Sequence, residues 1–287
     1  MDMKLLIISG LSGSGKSIAL HALEDIGYYC VDNLPLSLLP GLFQQLQNGT
    51  IRKVKLVAVG IDSRNLAELD RFPEMVDHLN QADIDFQTLY LQADDKVILK
   101  RFSETRRRHP LSSKDMPLAE AIQKEREILQ PVFASADLKI DTSHTNVHEL
   151  RQLVQNRIEK STPHEISLLF ESFGYKNGIP ADADFVFDVR CLPNPHWEAK
   201  LRSLTGKDAK VITFLQKKTD VQEMLTDICQ FLEKWLPRFK QENRSYMTIA
   251  VGCTGGQHRS VYLVGELVRY FMAQGHTGAI ERHRELL

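Results

Sequence analysis

Gly10-Leu11-Ser12-Gly13-Ser14-Gly15-Lys16-Ser17 follows an apolar run at residues 5–8, precedes a helical pattern, and has the spacing G-x-x-x-x-G-K-[ST]. A glycine-rich turn of this kind frees backbone N–H groups, and the helix behind it adds the positive end of its dipole, so the turn suits a polyphosphate. Lys16 is expected to reach the β- and γ-phosphates, and the Ser17 hydroxyl to ligate Mg²⁺. The plain alternative, a strand-to-helix turn that binds nothing, is disfavoured by the strand-loop-helix context. The same order of elements is the opening step of a parallel α/β sheet.

Working outward, 287 residues at about one domain per 150 suggest two domains, each able to bury a core. A hydrophobic fraction of 43% with 25% charged residues describes an ordinary soluble globular chain. The formal net charge of -1 supplies no global basic field, so nucleic-acid binding would need a local patch. Cys30, Cys191, Cys229 and Cys253 form no C-x-x-C pair and no secretory signal precedes the first strand, which predicts free thiols and a cytoplasmic location. No window approaches the ~18 apolar residues of a membrane span.

Behind the loop, residues 18–26 have helical spacing and Gly27 is placed to end the helix. A short strand at 28–31 would deliver Asp32 and Asn33 to the carboxyl edge of the sheet. A helix opening at Pro35 and a strand at 54–61 follow. That strand ends in Asp62, a candidate Walker-B-type carboxylate for Mg²⁺ or water, with a simple turn cap as the competing reading and Asp32 as the competing residue. Next come a helix at 65–80 interrupted near Pro73, a strand at 86–91, and an amphipathic helix at 94–108 running into Arg106-Arg107-Arg108-His109-Pro110. The arginine run reads either as a solvated helix face or as guanidinium groups for transferring phosphate charge. A helix at 118–133, a strand at 138–140 and a helix at 147–158 complete an N-terminal domain, 1–160, with helices on both faces of a parallel sheet.

The polar stretch Lys160-Ser161-Thr162-Pro163-His164 marks the boundary to a second, smaller α/β domain, 161–287. Strands at 166–173, 185–189 and 247–251, helices at 221–235 and 260–272, and a rigid loop at Pro193-Asn194-Pro195-His196-Trp197 are expected there. Between its last strand and helix lies Gly252-Cys253-Thr254-Gly255-Gly256-Gln257-His258-Arg259-Ser260, with C-x₅-R-S spacing. In phosphatases with that spacing a thiolate at a helix N-terminus attacks phosphorus while backbone N–H groups and an arginine fork hold the oxygens. Such a loop binds a phosphate monoester whether or not it cleaves one, and no general-acid carboxylate can be assigned here. The competing reading is a buried structural cysteine before a Gly-Gly turn.

GLSGSGKS, YYCVDNLP, TRRRHPLSS, FESFGYKNGIP, DVRCLPNPHW and GCTGGQHRSV together resemble the RapZ/YvcJ family of nucleotide-binding proteins, and the resemblance runs from residue 3 to about 284. It implies a P-loop kinase-like N-terminal domain with at most weak ATPase and GTPase activity. ATP, GTP and Mg²⁺ would be held by Gly10 to Ser17 and by a D-x-R-N segment matching Asp62-Ser63-Arg64-Asn65, with Ser17 and Asp62 on the metal side. It also implies a C-terminal domain that binds glucosamine 6-phosphate and a regulatory small RNA and presents the RNA to an endoribonuclease. From their own chemistry, the loop residues Cys253, Thr254, Gly255, Gly256, His258, Arg259 and Ser260 are the expected sugar-phosphate site, and the cations Arg269, Arg282, His283 and Arg284 the expected RNA contacts. Residues 258–287 hold four arginines and no lysine against three glutamates, so weak, electrostatically shallow RNA binding is expected. A homo-oligomer and no membrane partner complete this reading. A small-molecule kinase would explain the P-loop, the two aspartates and the arginine run but not the second domain; a cysteine phosphatase would explain only Cys253 and Arg259.

Overall fold

The structure, a computed structural model, describes residues 3–47, 54–65, 68–81, 84–105, 107–113, 116–159, 166–242 and 244–286. The chain divides into two compact units, Met1–Gln155 and Asn156–Leu287. The whole of the expected polar boundary at 160–164 lies outside the described residues, as does Arg106.

The first unit runs β1 (Lys4–Gly10), α1 (Lys16–Asp25), β2 (Tyr29–Val31), α2 (Leu39–Gln47), β3 (Leu56–Gly60), α3 (Phe72–Gln81), β4 (Asp85–Gln92), α4 (Asp95–Thr105), α5 (Leu118–Ile128), α6 (Gln130–Ala134), β5 (Leu138–Asp141) and most of α7 (Val147–Glu159), whose last turn, from Asn156, belongs to the second unit. Its five strands are parallel in the order β2-β3-β1-β4-β5. β1 lies in the middle and is buried from Leu5 to Gly10, which is why it reads as an unbroken apolar run. Leu5, Ile7, Val57, Val59 and Tyr90 join the core with Leu69 and Phe72. Parallel register brings Gly10 opposite Leu91 and Ile8 opposite Gly60, so the loops after β1, β3 and β4 share the carboxyl edge where such sheets bind ligands.

Two expected helices divide at prolines. The interruption near Pro73 is the start of α3, Pro73 being its second residue, where a missing N–H costs nothing. Residues 118–133 form α5 and α6, broken at Leu129 ahead of Pro131. The helix expected to 108 ends at Thr105, and Arg107 and Arg108 are exposed beyond it.

The second unit holds β6 (Ser167–Gly174), β7 (Phe185–Asp188), α8 (Ala209–Gln216), α9 (Thr219–Gln241), β8 (Tyr246–Cys253), α10 (Arg259–Ala273) and β9 (Ile280–His283). These strands are also parallel, in the order β7-β8-β6-β9. β6 and β8 are buried throughout and form the centre. β9 is not expected from sequence, because Ile280-Glu281-Arg282-His283 carries the polar residues of an edge strand and no apolar run.

Candidate functional site

The phosphate loop of the first unit is shaped by close packing. A Cβ on Gly10 would lie 2.0 Å from the Leu91 carbonyl oxygen, and Gly10 has φ +138, so the turn out of β1 tolerates no side chain. Leu11 is fully buried and offers the loop its backbone only. Gly15 caps α1 in the left-handed region with no side chain accepting from the helix's first N–H groups, which leaves those donors for an anion. The carbonyls are held outward: Thr142 Oγ1 donates to Ser14 O (2.9 Å), and Arg101 Nη1 donates to Gly13 O (2.9 Å) while its Nη2 donates to Thr142 O (2.6 Å). Sequence reading places Arg101 on an amphipathic face and gives it no task.

Lys16 folds back over this turn, its Nζ donating to Gly10 O (2.6 Å) and Leu11 O (3.2 Å). Burial lowers its pKa, against the attraction of Glu125, Asp62 and Asp32. Ser17 is exposed beside it, and Ser14 Oγ is buried without a hydrogen-bond partner. An uncapped helix start, an orphaned hydroxyl and a lysine satisfied only by loop carbonyls all fit a bound phosphate chain. Asp62 is buried two residues past the end of β3; its Oδ1 accepts from Arg64 N (2.9 Å) and its Oδ2 lies 3.5 Å from Arg64 Nε. Asn65 closes the same short turn. Asp32, the competitor, is exposed and lies across β3, its Oδ1 2.6 Å from where a Gly60 Cβ would be. Among the described residues no group of three or more His, Cys, Asp or Glu could hold a metal. Ser17 and Asp62, the expected Mg²⁺ ligands, are not part of such a group.

Beneath the loop lies a carboxylate that sequence reading missed. Glu125 of α5 has no exposed side-chain surface and accepts from Ser12 N (2.7 Å), Ser12 Oγ (2.7 Å) and Ser63 Oγ (2.6 Å). His109 Nε2 lies 3.1 Å away, and because Leu111 N donates to His109 Nδ1 (3.1 Å), the ring proton sits on Nε2 and is donated to Glu125. Ser12 thus directs both donors at Glu125 rather than into the loop. A sequence signal existed: Glu125 falls on the stripe Leu118, Ala121, Ile122, Leu129, Val132 that α5 and α6 turn to the core.

Burial would raise the Glu125 pKa, but hydrogen bonding from His109, the Lys16 charge and the two serines outweigh it and hold it at about 2. A folded value below the unfolded one, about 4.3, makes the stabilisation present above pH ~4.3 and lost as pH falls toward 2. Glu125→Gln is therefore expected to flatten the acid limb of stability: urea midpoints at pH 5 and pH 3 should differ less in the variant than in the parent. An equal difference in both proteins counts against the arrangement.

The second loop, between β8 and α10, is built around a thiol. Cys253 is buried, with Gly256 N donating to its Sγ (3.2 Å) and Ser260 Oγ 3.2 Å from it. Burial raises the Cys253 pKa, but the Ser260 and Gly256 hydrogen bonds and the Arg259 charge bring it below the ordinary thiol value. Burial instead pushes Cys30 up to about 12 and Cys229 to about 11; all four cysteines are free. Gly256 has φ +71, and a Cβ there would lie 2.3 Å from Glu285 Oε2 and 2.6 Å from Gly174 N. The expected guanidinium fork is placed differently: buried Arg259 donates through Nη1 to Arg190 O (2.8 Å) and Leu192 O (3.0 Å) and through Nη2 to Thr254 Oγ1 (3.3 Å). Carbonyls arriving from the turn after β7 capture it, a convergence no local spacing encodes. His258 is likewise buried, its Nε2 3.3 Å from Leu201 O. Thr254 and Gln257 are the exposed side chains of the loop, and a Cβ on Gly255 would meet open space.

Of the cations expected to meet RNA, Arg269 is exposed on α10 and ion-paired with Glu266. Arg282 pairs with buried Glu171 (2.9 Å), His283 Nδ1 lies 2.9 Å from Ser172 Oγ, and Arg284 N donates to Ser172 O (3.1 Å). Among the described residues no helix is long and apolar enough to cross a membrane.

Comparison with known proteins covers both units. Residues 3–162 match the RapZ-like N-terminal domain and residues 166–287 the RapZ C-terminal domain. A nucleotide-binding protein of Thioalkalivibrio sulfidiphilus is 53% identical over 285 residues, 99% of this chain and 100% of its own length. Another from Pseudomonas syringae pv. tomato is 52% identical over 285 residues with the same coverage, 99% and 100%. Among solved structures, a shikimate kinase from Bacteroides thetaiotaomicron aligns with TM-score 0.39 and 13% identity, over 55% of this chain and 99% of its own.

Proposed function

We propose, for a chain that belongs to the RapZ family of nucleotide-binding proteins, that it works as an adaptor and sensor rather than as a fast enzyme. In this reading the first unit takes ATP or GTP with Mg²⁺ at residues 10–17 and Asp62. The second unit senses glucosamine 6-phosphate and holds a regulatory small RNA for an endoribonuclease in the cytoplasm, as a homo-oligomer. The observation that supports it most is the loop at 252–260, where a thiol held by Gly256 N and Ser260 Oγ sits beside glycines and a helix start with no side-chain cap, an arrangement suited to a compact anion. A cradle with its arginine tied to backbone carbonyls favours holding a phosphate over turning one over. With Arg269 as the exposed cation of the four, RNA affinity should fall with salt by only a few multiples of about 0.7–0.9 log units per log unit of salt.

Calorimetry of the full chain with glucosamine 6-phosphate, beside a phosphate-release assay, tests the sensor. Arg259 Nη2, which donates to Thr254 Oγ1 (3.3 Å), is the group that would turn to the phosphate, so Arg259→Ala should lower the affinity roughly 10- to 150-fold, the effect of removing one charge-assisted hydrogen bond of about 1.5–3 kcal/mol. The lost ties to the Arg190 and Leu192 carbonyls should also lower the melt, so affinity is compared at a temperature where the variant is folded. Cys253→Ser should bind nearly as the parent does. Rapid phosphate release that disappears in Cys253→Ser would make the protein a phosphatase and overturn this reading. RNA copurifying with the tagged chain should elute when the sugar phosphate is added.

A further inference from the structure

We propose that Glu125 and His109 form a positioning relay through which nucleotide bound at residues 10–17 is reported at the exposed arginines Arg107 and Arg108. The inference rests on the nucleotide reading above. The relay joins three stretches far apart in the chain: Ser12 in the phosphate loop, Ser63 in the turn that carries Asp62, and His109 directly behind the arginines, all on one carboxylate. Both the Glu125 and the His109 side chains have no exposed surface. A buried ion has no water to replace a lost donor, so its partners shift together or not at all.

The input end is mechanical. Lys16 Nζ holds the carbonyls of Gly10 and Leu11, the two residues ahead of Ser12. Turning that ammonium to a phosphate oxygen releases both carbonyls and moves Ser12, which drives Glu125 through two hydrogen bonds. The output end is a turn organised about one imidazole. Leu111 N donates to His109 Nδ1, and Ser112 N (3.1 Å) and Ser112 Oγ (2.9 Å) both donate to His109 O. The Phe102 ring of α4 stacks at a tilt 5.3 Å from the imidazole. His109 is thereby the point at which the exposed segment is pinned to the buried carboxylate, and Arg107 and Arg108 precede it immediately. Phosphate charge in the loop and two guanidinium groups on a pinned segment attract each other, so occupancy draws the segment in.

The experiment is limited trypsin digestion of the full chain, with cleavage after Arg107 and Arg108 followed by mass spectrometry, with and without Mg-ATP or Mg-GTP. Nucleotide affinity is measured in parallel. In the parent, nucleotide should slow cleavage at these two sites at least about five-fold, the lower end of ordinary coupling between sites. His109→Ala should still bind nucleotide, weaker by about the same factor as the protection it loses, as the reciprocity of coupling requires. His109→Gln, which keeps a donor for Glu125, should recover part of it, a result that a merely structural role would not give. Tight nucleotide binding without protection in the parent overturns the relay, as does full protection in His109→Ala. No measurable nucleotide affinity in the parent defeats the nucleotide reading itself, and the relay with it. If His109→Ala does not fold, Ser12→Ala, which removes one of the two input bonds, should lose part of the protection together with a matching part of the affinity; full protection in that variant overturns the proposal.

Discussion

Lys16→Ala should reduce affinity for Mg-ATP and Mg-GTP by at least about 100-fold. Lys16 is the one side-chain cation that the loop spacing directs at the β- and γ-phosphates. Removing two charge-assisted hydrogen bonds to phosphate, at about 1.5–3 kcal/mol each, amounts to roughly 3–6 kcal/mol, or 10²- to 10⁴-fold. The fold should survive. Lys16 is only partly buried, so shortening it opens a path by which water can take its place on the Gly10 and Leu11 carbonyls. Titration of a fluorescent nucleotide analogue, with a far-UV spectrum and melt of the variant, provides the check. Unchanged affinity in a folded variant would remove the nucleotide site from residues 10–17.

Arg157→Ala should destabilise the second unit by about 3–5 kcal/mol and leave nucleotide affinity untouched. Arg157 is the largest fully buried side chain, 1% exposed, with Nη1 donating to Ser167 O (3.0 Å) and Met247 O (3.4 Å) at the starts of β6 and β8. Its guanidinium carbon lies 5.3 Å from the centre of the Tyr246 ring, and the surrounding Asp182, Asp184 and Glu171 carry opposite charge. Burial brings its pKa down to about 10, so it stays charged under all ordinary conditions. Removing one member of such a buried charge cluster strands the rest, and stranded buried charges cost on the order of 3–5 kcal/mol. Both tryptophans, Trp197 and Trp235, lie in the second unit, so denaturant unfolding followed by tryptophan fluorescence reads that unit directly. An unshifted tryptophan midpoint would show that the cluster is dispensable.

These expectations differ in how far they could be foreseen. The Lys16 result rests on a spacing visible in the chain, whereas Arg157 sits at an unremarkable position in a helix whose polar residues look solvated. The same contrast runs through the site. Glu125 carries a faint signal as a charge on an apolar stripe, but its four donors come from residues 12, 63 and 109, and such convergence has no local period. Pro73 and Pro131 are visible as breaks, yet whether a proline interrupts a helix or opens one depends on which N–H groups are already unpaired.

By itself the sequence determined the parallel α/β class, the phosphate loop at residues 10–17, the strand-loop-helix at 252–260 and the family. Each of these depends on residue types at short, fixed spacing, which is how backbone freedom and side-chain period enter a chain. Only the tertiary structure decided that Ser12 faces Glu125, that Arg259 is held by the carbonyls of Arg190 and Leu192, and that Arg282 is paired with Glu171 in an edge strand. Those outcomes turn on which buried polar group finds a partner from a distant segment. Burial sets that requirement without specifying in advance where along the chain the partner will come from.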